Sequence, residues 1–264
     1  MPRARWYKRR RQEERRIKDR NLFKTVEEVF DSITMGHIYR LEARGIIWEL
    51  KGVVSSGKEA RVYWGKDKRG GDIAVKIYLS ATAEFRKSIR KYIEGDPRFE
   101  SIPRGNFRKL IYEWARKEYR NLVRLEKAGV RVPSPRGLSG NVIVMQFLGE
   151  DGYRAPLLVE AVEDATREEL EGYYEDLLSQ IEAMVCKAGL VHADLSEYNI
   201  MIWEGKPWII DVGQAVLLNH PHSLEFLQRD IDNLTSFFQE HIGRSLRDEI
   251  GGALEQCLKE KAEA

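Results

Sequence analysis

Two segments of the chain carry residue types that can do metal-assisted chemistry when they are brought together. The first is Val191-His192-Ala193-Asp194-Leu195-Ser196-Glu197-Tyr198-Asn199, in which a carboxylate and a carboxamide stand five positions apart. A phosphoryl-transfer site needs a carboxylate to orient the nucleophile and, a loop turn later, an oxygen ligand for magnesium. Asp194 fits the first role and Asn199 the second, while His192 reads as a packing residue beneath the loop rather than a general base. The second segment is Trp208-Ile209-Ile210-Asp211-Val212-Gly213, an apolar run that delivers a carboxylate to a glycine turn. Magnesium prefers oxygen ligands and usually takes one or two protein groups plus nucleotide phosphates, so Asn199 and Asp211 make a minimal cradle. Either segment alone would be an ordinary turn.

Two further features supply nucleotide contacts. Ile73-Ala74-Val75-Lys76 is an apolar strand ending in an ammonium that can pair with the α and β phosphates, where a lysine leaving such a strand is otherwise a snorkelling surface residue. That cation needs a carboxylate to hold it. Glu118 on a downstream helix is the first candidate and Glu113 the runner-up. The turn Gly52-Val53-Val54-Ser55-Ser56-Gly57-Lys58-Glu59-Ala60 has the spacing of a Walker A loop, but Glu59 stands where that loop needs Ser or Thr, and Arg61-Val62-Tyr63-Trp64 reads as strand, not helix. A strand-turn-strand cover over phosphates fits better, with Ser55, Ser56 and Lys58 as contacts.

The elements that must position these residues can be read from periodicity. Thr25 and Glu28 form a capping box ahead of Val26, Val29, Phe30, Ile33, Ile38 and Leu41, which predicts a helix stopped by Gly45. Three β-like runs follow at about 46–54, 60–65 and 72–79, an antiparallel meander. Residues 80–106, basic and broken by Gly and Pro, read as a long mobile loop. A strong helix is predicted over 107–127, stopped by Gly129, then Pro133 and Pro135 lead into a strand at 141–147. Gly149-Glu150-Asp151-Gly152 reads as a hinge. A second capping box, Thr166 with Glu169, opens a helix with Leu170, Tyr173, Leu177, Leu178, Ile181, Met184 and Val185 on one face, and the rest is mainly helical. The predicted organisation is a basic arm (1–24), an N-terminal helix with a small nucleotide-binding lobe (25–148), and a helical lobe with the catalytic and metal-binding loops (149–264).

Composition sets the class. With 42% hydrophobic residues, 264 residues suffice for a buried core. Two cysteines, Cys186 and Cys257, are too few to staple such a chain and match no zinc spacing, so they read as core thiols in a reducing compartment. No apolar run suggests secretion or membrane spanning, which predicts a cytoplasmic protein without membrane contact. Residues 1–20 hold ten Lys/Arg against three Asp/Glu, leaving the rest net acidic. That arm reads either as an RNA-phosphate contact or as a solubilising tail.

Together, Ser55-Ser56-Gly57-Lys58-Glu59-Ala60, Lys117-Glu118-Tyr119-Arg120-Asn121-Leu122, the Val191–Asn199 segment and Ile210-Asp211-Val212-Gly213-Gln214 closely resemble the RIO family of atypical serine protein kinases, over about residues 25–245. The resemblance is to the type with Ser/Thr-x-Gly-Lys-Glu-Ala at the phosphate loop and no winged-helix domain. It implies an α+β, bilobal, protein-kinase-like fold: a small antiparallel β lobe with one long helix, and a mainly helical large lobe truncated after the metal-binding loop. It favours Glu118 over Glu113, and sets adenine against Met145-Gln146-Phe147-Leu148, with Met145, Gln146 and Leu148 as contacts. ATP with Mg2+ or Mn2+ is implied. So is a role in small ribosomal subunit maturation, with a pre-40S or 30S particle as partner and rRNA contact through the basic arm. Gly213 departs from the pattern, since eukaryotic relatives carry serine there.

Three functions follow from the resemblance. One is an autophosphorylating serine/threonine kinase; acceptors such as Ser88 or Ser101 are compatible with this function and with the next. The second is an ATPase switch that passes through a phosphorylated Asp211, favoured because no Ala-Pro-Glu peptide platform follows Asp211. The third is a non-catalytic ribosome-binding module, which the intact Lys76, Asp194, Asn199 and Asp211 argue against. Small-molecule kinases share the His-x-Asp-x4-Asn loop, but their later metal motif generally carries a second aspartate in place of Gly213-Gln214.

Overall fold

The computed structural model describes residues 30–79, 83–99 and 106–263. The chain forms two compact units. One comprises residues up to Ser88 with Ile102–Tyr119 and Pro133–Ala155, and the other Ile89–Ser101, Arg120–Val132 and Pro156–Ala264. The basic arm, the Thr25–Glu28 capping box and Ser101 lie outside the described residues.

The first unit is a five-stranded antiparallel sheet: β1 (Glu49–Ser56), β2 (Ala60–Lys66), β3 (Asp72–Tyr78), β4 (Pro135–Ser139) and β5 (Val142–Gln146), in the order β1-β2-β3-β5-β4. The period of two along β3 sorts its residues. Ile73, Val75 and Ile77 face a core with Val142 and Val144 of β5 and with Met35, Ile38 and Leu41 of helix α1 (Ser32–Ala43). Ala74, Lys76 and Tyr78 are thereby left on the opposite face. Helix α1 is capped by Asp31, which accepts from the Thr34 amide at 2.8 Å. Below it His37 bonds Ser139 Oγ at 2.9 Å and Tyr112 Oη at 2.8 Å, tying the helix to β4. Gly140 passes so close to that imidazole that any Cβ would lie 2.3 Å from it.

Three expectations change here. Residues 80–106 contain helix α2 (Ala83–Ile93) and a 3-10 turn at Pro97–Phe99, in place of a continuous loop. The helix buries Ile89 and Tyr92 while Lys87, Arg90 and Lys91 stay exposed; the dense cations and the Gly95 and Pro97 that follow outweigh its apolar spacing in the sequence. Pro135 opens an edge strand, where a residue without an N–H is tolerated. The expected hinge at 149–152 is a hairpin of β6 (Gly149–Glu150) and β7 (Tyr153–Arg154), turned through Asp151 and Gly152 with φ of 54° and 83°.

Helix α3 (Phe107–Lys127) matches its predicted span, with Phe107–Tyr119 in the first unit and Arg120–Lys127 in the second. The second unit continues with α4 (Leu158–Ala161) and α5 (Arg167–Glu182). The predicted Thr166–Glu169 capping box is present on α5. A π-helical turn (Ala183–Lys187) leads to β8 (Leu190–Val191). After it come β9 (Ile200–Trp203), β10 (Lys206–Ile209), β11 (Val216–Leu217), α6 (Ser223–Ile242) and α7 (Leu246–Glu263). Among the described residues no helix is long and apolar enough to cross a membrane.

The two cysteines are not the core thiols that composition suggested. Cys186 in the π-turn and Cys257 in α7 are joined by a disulfide, with Cα atoms 5.8 Å apart across 71 residues of chain. Nothing in a 71-residue spacing announces such a pair, because it depends on α7 packing beside the π-turn. Closing a loop of this length in the unfolded chain is worth about 2–4 kcal/mol. Reduction, or Cys257→Ser, should therefore lower the melting temperature by roughly 5–15 °C, read by calorimetry with and without reductant. The Cys257→Ser variant should be indifferent to reductant.

Candidate functional site

The candidate residues divide between the two units. In the first, Lys76 Nζ donates to Glu118 Oε1 at 2.8 Å, and the Tyr78 hydroxyl donates to the other oxygen, Oε2. Lys76 is 8% and Glu118 2% exposed, so both carboxylate oxygens are engaged inside the protein, and the ammonium also lies 5.1 Å from the centre of the Tyr78 ring. Glu113 instead accepts from Arg116 at 2.5 Å. Removing one partner of a buried pair strands the other, at a cost of about 3–5 kcal/mol.

Ser55, Ser56 and Lys58 sit together at the exposed tip of the β1–β2 hairpin. Two register shifts, between Leu50 and Gly52 and between Val53 and Ser55, bend β1 on its way there. Gly57 N–H donates to Ala60 O at 3.0 Å and Leu79 N–H to Glu59 O at 2.9 Å, which closes the turn and ties it to the end of β3. Met145 is the cross-strand partner of Ala74, which is itself paired with Trp64, so this row shares the face of Lys76. Val62, opposite Lys76, lies there too. Neither Ala74 nor Val62 is singled out by type alone; the register supplies them. Gln146 pairs with Ile73 and so points to the other face, where its side chain accepts from Ser134 N–H at 3.4 Å. Leu148 is buried, and its carbonyl accepts from Ala155 N–H at 2.8 Å.

In the second unit a hairpin assembles the metal-ligand candidates. Strands β9 and β10 pair from Trp203–Lys206 back to Ile200–Ile209 around Glu204 and Gly205, both at positive φ, as a two-residue hairpin turn requires. One step further Ile210 N–H donates to Asn199 O at 3.0 Å, so Asn199 and Asp211 meet at the open end. Asn199 Nδ2 donates to Asp194 O at 2.7 Å and more weakly to Asp194 Oδ2 at 3.4 Å. Those bonds turn the amide oxygen, a hard donor, away from the loop. With the exposed Asp211 carboxylate it suits magnesium. Among the described residues no group of three or more His, Cys, Asp or Glu comes together as a metal site.

The loop carrying Asp194 is held from α6. Asp230, 1% exposed, accepts from Ala193 N–H at 2.7 Å and from Leu195 N–H at 2.8 Å. Arg229 donates to Ala193 O, and Asn233 Nδ2 to Leu195 O at 3.0 Å. Ala193 is thereby kept at φ 67°, a left-handed conformation that costs an L residue about 1–3 kcal/mol. His192 is fully buried and bonds Ile210 O through Nε2 at 3.0 Å, joining the loop to the end of the hairpin. Burial raises the Asp194 pKa, opposed by His192 and reinforced by Asp211. Burial pushes Asp230 up to about 6, opposed first by His192 and then by the Leu195 and Ala193 amides. Asp230 carries a signal legible in sequence: it is an acid on the apolar stripe of Phe226, Leu227, Ile231 and Leu234.

The profile of the RIO domain matches residues 61–249. A serine/threonine-protein kinase RIO1 from Caenorhabditis elegans is 43% identical over 86% of this chain, which spans 44% of that protein's length; the human counterpart is 42% identical, with 39% of its length spanned. The RIO-type serine/threonine-protein kinase Rio1 of Haloferax volcanii is 42% identical over 85% of this chain and 75% of its own. Among solved structures, a Rio2 kinase from Chaetomium thermophilum, crystallised as an ADP/Mg2+-phosphoaspartate complex, shares the fold with a TM-score of 0.59 at 21% identity, covering 86% of this chain and 75% of that one. With the domain profile covering most of the residues and an archaeal relative matched over three quarters of its length, the chain belongs to the RIO domain family, in its Rio1 type.

Proposed function

We propose that the chain is an ATP-dependent protein serine/threonine phosphotransferase that works with Mg2+ or Mn2+. The observation that carries this reading is the half-buried Asp194, fixed by backbone bonds and standing beside Asn199 and Asp211 at the end of one hairpin. The names of the relatives point the same way. In this reading Lys76, Ser55, Ser56 and Lys58 bind phosphates, Met145, Leu148 and the main chain at Gln146 border the adenine, and Asn199 and Asp211 hold the cation. The bound cation neutralises phosphate charge. Asp194 orients the incoming hydroxyl; its oxygen bonds to the γ phosphorus as the bond to ADP breaks, and the proton passes to Asp194. A raised pKa makes that carboxylate a better acceptor than a surface aspartate.

A second reading uses the same residues as an ATPase switch. Here the Asp211 carboxylate takes the phosphoryl group from ATP and water later removes it. The exposure of Asp211 and its left-handed backbone at φ 58° favour this, as does the phosphoaspartate of the Rio2 complex. In either reading the proposed partner is a small ribosomal subunit particle, with the basic residues 1–24 on rRNA, supported by family resemblance and by charge. The cytoplasm, where ATP is available, is the proposed compartment; a stable disulfide there fits a cell of the kind that tolerates intracellular disulfides.

Incubation with γ-labelled ATP, with and without small-subunit particles, separates the readings. Acid-stable label in serine supports the kinase, whereas free phosphate with a hydroxylamine-labile adduct supports the switch. Complete absence of label overturns both. Asp194→Ala should lower turnover roughly 10²–10⁴-fold with nucleotide affinity within a few-fold, measured by steady-state kinetics and calorimetry. Asp211→Ala should also abolish metal-dependent nucleotide binding, seen as equal affinities with metal and with chelator.

Asp230 gives a pH prediction with two opposite signs. Its folded pKa of about 6 lies above the ordinary 3.8, so on acidification through 6 the native state takes up a proton that the unfolded chain does not yet bind. Wild type should therefore gain stability relative to Asp230→Asn between about pH 7 and 4. The same proton turns one acceptor oxygen into a donor and costs the loop a bond, so turnover should fall over that range. At about pH 7.5 Asp230→Asn should cost about 10-fold or more in turnover, because misplacing a catalytic group slightly is expensive.

A further inference from the structure

Behind the Asp211 turn runs a chain of hydrogen bonds that begins outside the site just described. After helix α2 the backbone turns at Gly95, with φ 82°, so close to Pro221 that a Cβ there would lie 2.8 Å from the proline ring. The ring of Tyr92 lies 5.4 Å from that of Phe226, so the end of α2 and the turn after it are seated on the start of α6. Asp96 follows, 3% exposed, and grips Arg98 through both oxygens. Arg98 Nε donates at 2.8 and 3.0 Å, Nη2 at 2.6 Å, and the Arg98 main-chain N–H at 2.9 Å.

The remaining arm of the guanidinium reaches inward. Arg98 Nη1 donates to Asn121 Oδ1 at 2.9 Å, and Asn121 is 1% exposed on α3. Asn121 Nδ2 then donates to Val212 O at 2.9 Å and to Ala215 O at 3.1 Å, the two carbonyls that bracket Gly213-Gln214 directly after Asp211. A carboxamide can present either its oxygen or its nitrogen to a neighbour. Here the guanidinium, which can only donate, claims the oxygen and so commits the nitrogen to the carbonyls. Without Arg98 the buried carboxamide oxygen loses its donor, and the side chain that holds both carbonyls is no longer fixed from behind.

We propose that Asp96 and Arg98 latch the turn 212–215 through Asn121, making Arg98 a positioning residue for cation binding at Asp211. The inference rests on the reading of Asp211 as a metal ligand. It assigns the segment after α2 a task in the metal site, so that lifting residues 95–99 off α6 would weaken cation binding without touching a ligand.

Hydrogen exchange and a metal titration on the full-length chain test this together. In Arg98→Ala, the amides of Val212–Ala215 should exchange faster while those of α5 are unchanged. The Mn2+ concentration needed for half-maximal metal-dependent ADP binding should rise roughly 10-fold or more, as for other groups that orient metal ligands, with metal-free ADP binding unaltered. Arg98→Lys should not rescue, since one ammonium cannot grip Asp96 bidentately and reach Asn121 as well. If Arg98→Ala fails to fold, Asp96→Asn carries the same expectation in milder form. Unchanged exchange at 212–215, or faster exchange with an unchanged Mn2+ titration, overturns the latch. Wild type with no metal-dependent ADP binding at all overturns the metal-ligand reading itself, and the positioning role with it.

Discussion

A carboxylate shut away from water on α6 accepts from two main-chain N–H groups of one loop, and the geometry around Asp194 follows from that bond pair. Burying an ionisable group is unfavourable unless its oxygens are satisfied. Asp230 meets that condition only if Ala193 and Leu195 both turn their amides inward. To do so Ala193 adopts a conformation that a residue with a Cβ avoids, and Arg229 takes up the carbonyl this exposes. The Asp194 side chain leaves the loop between the two pinned residues. One helix face, Arg229, Asp230 and Asn233, thus fixes a loop that has little regular structure of its own.

The first unit reaches precision by a different route. Alternation along β3 sends three aliphatic residues into the core and leaves Lys76 on the other face, with no choice of side once the sheet forms. Glu118 and Tyr78 then surround the ammonium with one acceptor and one aromatic ring. A buried ion pair adds little net stability. What it does provide is a lysine whose direction is settled within the fold by Glu118 and Tyr78.

Much of this was legible beforehand because the informative residues are close in sequence. Asp194 and Asn199 share one loop, Asp211 closely follows one strand, and Lys76 lies near the end of another, so spacing and periodicity suffice. Helix α3 and the Thr166 cap are local in the same sense. What escaped depends on distant pieces meeting. The disulfide needs α7 beside the π-turn, the latch needs Arg98 beside Asn121, and the outward face of Gln146 depends on register with Ile73. Helix α2 escaped for a local reason, its apolar residues being set among cations and followed closely by Gly95 and Pro97. The choice of Glu118 over the runner-up Glu113 was strengthened by family resemblance, since an isolated helix pattern cannot say which of its turns meets β3.

The residue that pins the Asp194 loop comes 36 positions after the aspartate that it positions. During synthesis the loop, the hairpin and the whole first unit are made before α6 exists, and domains tend to form as their sequence emerges. Until α6 has coiled and docked, Ala193 has no reason to hold its left-handed turn, and relaxed backbone there leaves Asp194 without a fixed direction. A nascent or partly folded chain can therefore own every residue of the candidate site and still lack the fixed geometry around Asp194. Competence is acquired late and all at once, with the packing of one helix.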